Sequence, residues 1–170
     1  MKRWKSILGA VLLLVLPLVG NATDPGSNTP VLLEVEIQSI VGEQGKVTLF
    51  KMADLKALPE VSFETETIWT EGVQHFTGVS MATMIQHLGV TDGTLVLQAV
   101  NDYTVELPVA SAVEGGPIIA YELNGAHMTR RNKGPLWVVF PYDSNSNFQT
   151  EEIFSQSAWQ LVRIVVKPLE

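Results

Sequence analysis

The sequence predicts one α+β domain, made of mixed β-sheets with a few short helices. Apolar and polar residues alternate with a period of two over several short segments, which is typical of half-buried strands. Residues 80–88 instead place their apolar side chains at helical spacing, and the chain contains no internal repeat. These observations favour a sheet-based domain that carries only short helices.

In the first half of the chain, the alternation of Leu33, Val35 and Ile37 with polar residues predicts a strand. Further strands are predicted over 45–50 and 61–69, with a helical turn over 53–58 between them. The helix over 80–88 has one apolar face, formed by Met81, Met84, Ile85 and Leu88. Ser80 is a typical N-cap for it, and Gly89 stands where a left-handed C-cap belongs.

The second half is predicted to be mostly strand. Segments 95–100 and 103–107 flank Asn101-Asp102, a two-residue linker with the chemistry of a hairpin turn. Apolar runs at 118–123 and 136–140 predict two buried strands, and 159–167 predicts a final one, which Arg163 interrupts. Residues 142–152 are polar and predict a loop. The position of Arg163 does not decide whether it lies at a sheet edge or on a partly wet face.

The N-terminus has the pattern of a cleavable signal peptide over residues 1–22. A positive start is followed by the apolar run Ile7–Val19, and Gly20-Asn21-Ala22 offers small residues to a signal peptidase. A membrane-spanning helix needs about 20 apolar residues, more than this run supplies, although a retained anchor stays an alternative. We therefore predict export to the periplasm. Residues 23–30 then form a flexible tether and 31–170 a single domain.

Charge and cysteine content exclude several functions. Cleavage after Ala22 leaves eight Lys and Arg against eighteen Asp and Glu, a net charge of −10, which disfavours nucleic acid and anionic membranes as partners. The absence of cysteine excludes disulfides, zinc–thiolate sites and cysteine nucleophiles. The three histidines, His75, His87 and His127, are too scattered in sequence to predict a metal site.

Positive charge is concentrated at Arg130, Arg131 and Lys133, just before a Gly-Pro turn. Such a cluster suits a phosphate, a carboxylate or an acidic partner, because arginine binds these groups with paired hydrogen bonds. It is equally compatible with a solvated loop whose charges pair with nearby acids.

Asn101, Asp102 and Tyr103 form a second candidate site, together with Trp69. Asn and Asp side chains match the donors and acceptor of a 2-amino-4-oxo-pyrimidine ring, on whose face Tyr103 or Trp69 could stack. From spacing alone, a plain hairpin turn is the favoured interpretation.

Three segments, in order, resemble the molybdopterin-binding domain of sulfite-oxidase-like proteins. They are Phe76–Met81 ahead of a helix, Asn101–Pro108, and Asn124–Trp137. The likeness runs from about Val31 to Lys167 and implies that family's mixed α+β fold. It also implies that Arg130, Arg131 and Lys133 are the contacts to the phosphate end of the ligand, whereas Trp137 stands where the enzymes often have arginine.

In the enzymes of this family a cysteine thiolate holds the molybdenum, and this chain has none. Hydroxyls such as those of Thr65, Thr67 or Thr70 would not replace so soft and anionic a ligand. The resemblance is therefore to a cysteine-less branch of periplasmic pterin-binding regulatory proteins. It implies a non-catalytic sensory adaptor that binds a pterin and relays its presence to the periplasmic domain of a membrane-bound cyclic di-GMP signalling enzyme.

Two alternatives stay open at this stage. One is a molybdopterin-dependent oxidoreductase with an atypical metal ligand. The other is a ligand-free interaction module that kept the fold and lost the pocket. The predicted ligand-binding residues are Trp69, Asn101, Asp102, Tyr103, Arg130, Arg131, Lys133 and Trp137.

Overall fold

A computed structural model describes residues 29–39 and 45–169. The predicted signal peptide and residues 23–28 of the predicted tether lie outside the described residues. The strands are β1 (Val31–Ile37), β2 (Lys46–Lys51), β3 (Glu60–Glu66), β4 (Val73–Ser80), β5 (Thr94–Ala99), β6 (Thr104–Pro108), β7 (Ile118–Leu123), β8 (Ala126–His127), β9 (Trp137–Val139) and β10 (Leu161–Lys167). The helices are α1 (Met52–Lys56), α2 (Met81–Leu88) and α3 (Glu151–Ser155).

The strands form two sheets, one mixed and one antiparallel, and together with the short helices they confirm the predicted α+β class. The first has the order β2-β1-β10-β5-β6, with β1 and β10 parallel and the other pairs antiparallel. The second has the order β3-β4-β7-β8. Strand β9 pairs with the first half of β7, at residues 118–120, and β8 pairs with its end, at residues 122–123. Both sheets and the first two helices contribute to one hydrophobic core.

Local sequence signals account for the first strand and the main helix. Leu33 and Val35 are fully buried, as their alternation predicts. The hydroxyl of Ser80 accepts a hydrogen bond from the Thr83 N–H, and Gly89 ends α2 at φ 72°. Among the described residues no helix is long and apolar enough to cross a membrane.

Most predicted boundaries shift by one or two residues, and four of the differences change the assignment of residues discussed below. The strand expected over 61–69 ends at Glu66, so Trp69 lies in the β3–β4 turn. The last strand begins at Leu161, not at residue 159. The loop expected over 142–152 contains two short 3₁₀ turns, and α3 begins inside it behind the N-cap Thr150.

The fourth difference is the β5–β6 hairpin, whose loop has three residues instead of two. The Ala99 N–H donates to the Tyr103 carbonyl, and Asp102 adopts the left-handed conformation at φ 63°. This is the geometry of a three-residue hairpin loop that ends in a left-handed residue.

The position of Arg163, which the sequence left open, is a partly exposed face of the first sheet. Its guanidinium pairs with Glu34 and Glu36 on the neighbouring strand β1. Arg163 is therefore a structural residue whose charge is already balanced.

Candidate functional site

A cavity of about 450 Å³ opens between the β3–β4 turn, the β5–β6 hairpin and the segment from α3 to β10. This volume falls within the range of about 300–1,000 Å³ that is usual for small-molecule sites. The cavity contains no aspartate, glutamate, lysine, arginine or histidine in its lining. The lining residues are Ile68, Trp69, Ala99, Asn101, Tyr103, Phe154, Ser155, Ser157, Ala158 and Trp159.

Trp69 is the centre of an aromatic cluster beside this cavity. Its ring lies 5.6 Å from that of Trp159, 5.9 Å from Trp137, 6.1 Å from Phe154 and 6.3 Å from Tyr142, centroid to centroid. All four pairs are edge-to-face, the arrangement that the charge distribution of aromatic rings favours. The neighbours therefore fix the orientation of the Trp69 ring in the cavity wall.

Threonine hydroxyls shape the turn that presents Trp69. The Thr67 hydroxyl accepts from the Trp69 N–H at 3.1 Å and is bonded to the Thr70 hydroxyl at 2.8 Å. Before the turn, the buried Thr65 hydroxyl lies 3.2 Å from a carboxylate oxygen of Asp143. The Asp143 carboxylate also accepts from the Glu66 N–H. These hydroxyls are thus engaged in holding the turn.

The β5–β6 hairpin brings Asn101 and Tyr103 to the cavity, whereas Asp102 is not part of the lining. The Asn101 side-chain oxygen accepts from the Tyr103 N–H at 3.3 Å, and the Asp102 carboxylate accepts from the Gln98 side chain at 3.0 Å. Both polar side chains therefore support the turn. The Tyr103 side chain stays 54% exposed at the cavity mouth, where a ring could stack on it.

The basic residues lie outside the cavity lining, in a 3₁₀ turn over Arg130–Asn132 that ends at Lys133. Arg130 and Arg131 are exposed and form no ion pair with any described residue. The Lys133 ammonium stands 5.6 Å from the Trp159 ring centre and 5.7 Å from that of Trp137. We call residues Thr129–Gly134 the basic turn. It adjoins the cavity through Trp159.

Trp137 is fully buried in β9 and contacts Trp69 and Phe76 edge to face. It does not line the cavity and instead supports the wall formed by Trp69. The structure thus brings three of the eight predicted residues, Trp69, Asn101 and Tyr103, to one cavity. It places the basic turn beside them and Trp137 beneath.

Trp159, Phe154 and Ser157 line the cavity but were not predicted. Trp159 was assigned to a strand. The predicted loop covered only the first two residues of α3, and Phe154 and Ser157 received no assignment, so none of the three signalled a site. Nearby, burial raises the pKa of Tyr142 to about 12, against the opposing effect of its hydrogen bond with Ser157. This phenol stays protonated at neutral pH, and its ring packs against those of Trp69 and Phe154.

A larger cleft of about 720 Å³ lies elsewhere, between β3, the start of α2 and the loop before β7. None of the predicted site residues lines it. The histidines are spread over the fold: the His87 ring packs against Phe50, and His127 lies 3.6 Å from Glu122. No group of three or more His, Asp or Glu side chains that could hold a metal exists among the described residues.

Comparison with known proteins identifies a family. The model of the family described as "Oxidoreductase molybdopterin binding domain" matches residues 32–144. Among solved structures, the crystal structure of the sulfane dehydrogenase SoxCD from Paracoccus pantotrophus is similar in fold, with a TM-score of 0.57 and 15% sequence identity. The match covers 81% of this chain and 38% of that chain, so this chain spans well under half of it. No curated protein matches the sequence.

Proposed function

The chain belongs to the oxidoreductase molybdopterin-binding domain family, and from that premise we propose that it is a periplasmic, non-catalytic pterin-binding adaptor. In this proposal, binding of a pterin is relayed to the periplasmic domain of a membrane-bound cyclic di-GMP signalling enzyme. The observation that carries the proposal is a family member without cysteine that keeps a cavity walled by aromatic side chains.

The residues present do not fit a thiolate-ligated molybdenum. The chain has no cysteine, the hydroxyls of Thr67 and Thr70 are bonded to one another, and the Thr65 hydroxyl is bonded to Asp143. A neutral hydroxyl is also a poor ligand for a site that requires a soft anion. This donor set therefore supports binding without oxygen-atom transfer.

The same residues do fit the organic, heterocyclic part of such a cofactor. Trp69, Tyr103 and Trp159 offer ring faces and edges to a flat bicyclic molecule, and stacking on one aromatic side chain contributes about 1–3 kcal/mol. The uncharged lining suits a neutral ring, for which no buried charge must be balanced. An anionic substituent beside Trp159 would lie close to the Lys133 ammonium, which stands 5.6 Å from the centre of that ring.

Two measurements on the purified full chain test this proposal. Denaturation should release a bound pterin that is identified by fluorescence and mass. Titration with tetrahydrobiopterin should quench the tryptophan fluorescence of the cavity. Failure of both would contradict the proposal. Stoichiometric molybdenum with turnover would instead favour an oxidoreductase with an atypical ligand.

The signalling step needs its own test. Exchange of Arg130 and Arg131 for glutamate should weaken capture of the periplasmic domain of the signalling enzyme while leaving tetrahydrobiopterin affinity within about twofold, because the arginines lie outside the cavity. Lys56→Glu is the matched control, since Lys56 is an exposed cation already paired with Glu122. Equal loss of capture in the control would remove the basic turn from the proposal.

A further inference from the structure

Three segments of the candidate site meet at one residue that the sequence did not single out, Gln160. Its N–H donates to the Lys133 carbonyl at 2.9 Å, and its own carbonyl accepts from the Val100 N–H at 3.0 Å. Its side-chain amide donates to the Arg130 carbonyl at 2.6 Å. Gln160 is therefore bonded to both ends of the basic turn and to the hairpin that forms one cavity wall.

Backbone conformation marks the same place. Among the described residues, four that are not glycine have positive φ, and three of them are Asp102 in the hairpin, Lys133 in the basic turn and Gln160 itself. The left-handed region is unfavourable for a side chain such as Gln or Lys, so it persists only where surrounding contacts impose it. Two of these residues, Lys133 and Gln160, are directly hydrogen-bonded to one another.

Gln160 also follows Trp159 directly, and Trp159 lines the cavity and lies beneath the Lys133 ammonium. A ring bound against Trp159 and Tyr103 would thus contact the residue before Gln160 and the hairpin to which Gln160 is bonded. The exposed turn at the other end of these bonds carries arginines that no described carboxylate neutralises.

We infer that Gln160 is a positioning residue that couples the occupied cavity to the basic turn, so that ligand binding orders the surface presented by Arg130 and Arg131. The link is physical, because the same residue restrains both elements through hydrogen bonds. A signalling role for this coupling rests on the proposed adaptor function, whereas the coupling itself does not.

Amide hydrogen exchange in the basic turn measures this coupling. The amides of Asn132 and Gly134 both donate to the Thr129 carbonyl, so they report whether the turn is formed. Saturating tetrahydrobiopterin should slow their exchange about fivefold in the wild-type chain, at the lower end of ordinary site-to-site coupling. In Gln160→Ala the pterin should still bind within about twofold, but the slowing should disappear.

Two further variants distinguish loss of the Gln160 side-chain hydrogen bond from backbone strain and from general destabilisation of the fold. Gln160→Gly accepts positive φ without strain and lacks only the side-chain bond to Arg130, so it should lose the coupling as Gln160→Ala does. Ser144→Ala is the matched control, because the Ser144 hydroxyl also donates to a backbone carbonyl, that of Pro141 at 2.7 Å, but does not line the cavity. It should keep the full effect.

An experiment without ligand tests the coupling independently of the proposed function. If no pterin binds, the proposed function is contradicted, but this experiment still tests the role of Gln160. Val100→Pro removes the N–H through which the hairpin donates to the Gln160 carbonyl, so it should speed exchange of the Asn132 and Gly134 amides in the wild-type background, but add nothing in Gln160→Gly. The inference is overturned if Val100→Pro leaves amide exchange in the basic turn unchanged. It is also overturned if the effect of Val100→Pro, or that of the pterin, survives in both Gln160 variants.

Discussion

Around Tyr121 the charged groups pair with one another, whereas beside the cavity the arginines of the basic turn pair with no described carboxylate. The Tyr121 hydroxyl donates to Glu60 at 2.7 Å, and the Lys56 ammonium lies 2.9 Å from Glu122. The hydrogen bond from Lys56 holds the pKa of Glu122 below its ordinary value. In the cavity region no described carboxylate forms an ion pair with the basic turn, and the cavity lining carries no charged side chain.

This difference separates structural charges from available ones. A charge paired within the fold has little to gain from an external partner, because binding that partner would first break the existing contact. An exposed arginine without a partner keeps its full capacity for a carboxylate or phosphate. Substitutions in the two regions test this difference.

The largest effect is expected from Trp69→Ala. Removing this side chain leaves four aromatic neighbours without their common contact, so the free energy of unfolding should fall by about 3 kcal/mol in urea. Tetrahydrobiopterin affinity should fall about tenfold to hundredfold, as for loss of one stacked ring. Phe63→Ala is the control, a half-buried aromatic outside this cavity that packs on Phe76. It should lose stability but keep the affinity.

The next effect depends on pH and on Tyr142. Burial raises the pKa of this phenol from 10.0 in the unfolded chain to about 12 in the folded one. The folded state therefore holds the proton more tightly. The raised pKa of Tyr142 adds to the free energy of unfolding. This contribution is complete below pH 10 and is lost as the pH rises towards 12, at about 1.4 kcal/mol per pH unit. Tyr142→Phe should remove this slope relative to wild type in urea melts at pH 8 to 11.5. Equal slopes would contradict the assignment.

The sequence predicted the elements that local chemistry decides. The period of two in β1 and the Ser80 cap and Gly89 terminus of α2 follow from neighbouring residues, and both are confirmed. The family fold, identified from three short segments, is likewise confirmed by the family match. The hairpin loop was assigned one residue too few, because the left-handed conformation of Asp102 depends on the ladder around it.

Contacts between distant segments explain what the sequence could not predict. Helix α3 has only five residues, and its Phe154 is placed by the rings of Trp69 and Tyr142. Trp159 enters the cavity wall through a bridge to Trp137, and Gln160 acts through bonds to residues about 30 and 60 positions away. No periodicity or motif in the sequence records such partners.

A smaller effect compares the charges of the two regions directly. Lys56→Ala breaks an ion pair with Glu122 and a contact with the Tyr121 ring, so unfolding should become easier by at most about 1 kcal/mol. Arg130→Ala and Arg131→Ala break no ion pair within the described residues and should change stability by less than about 0.5 kcal/mol. Chemical denaturation of the three variants checks this. If the arginine variants lost as much free energy of unfolding as Lys56→Ala, the distinction between paired and unpaired charges in the two regions would be wrong.

The smallest effect concerns Lys133, where a side-chain contact and a backbone penalty oppose each other. Its ammonium lies over two indole rings, a contact that contributes about 0.5–1 kcal/mol at an exposed site. Its φ of 64° costs a residue with a Cβ about 1 kcal/mol. Lys133→Ala loses the contact and keeps the penalty, whereas Lys133→Gly loses both. The glycine variant should therefore be more stable than the alanine variant by up to about 1 kcal/mol in urea denaturation, less the greater freedom of glycine in the unfolded chain. The reverse order would mean that the turn is not held in the left-handed conformation, and then neither the stacked ammonium nor the bond from Gln160 could fix the basic turn beside the cavity.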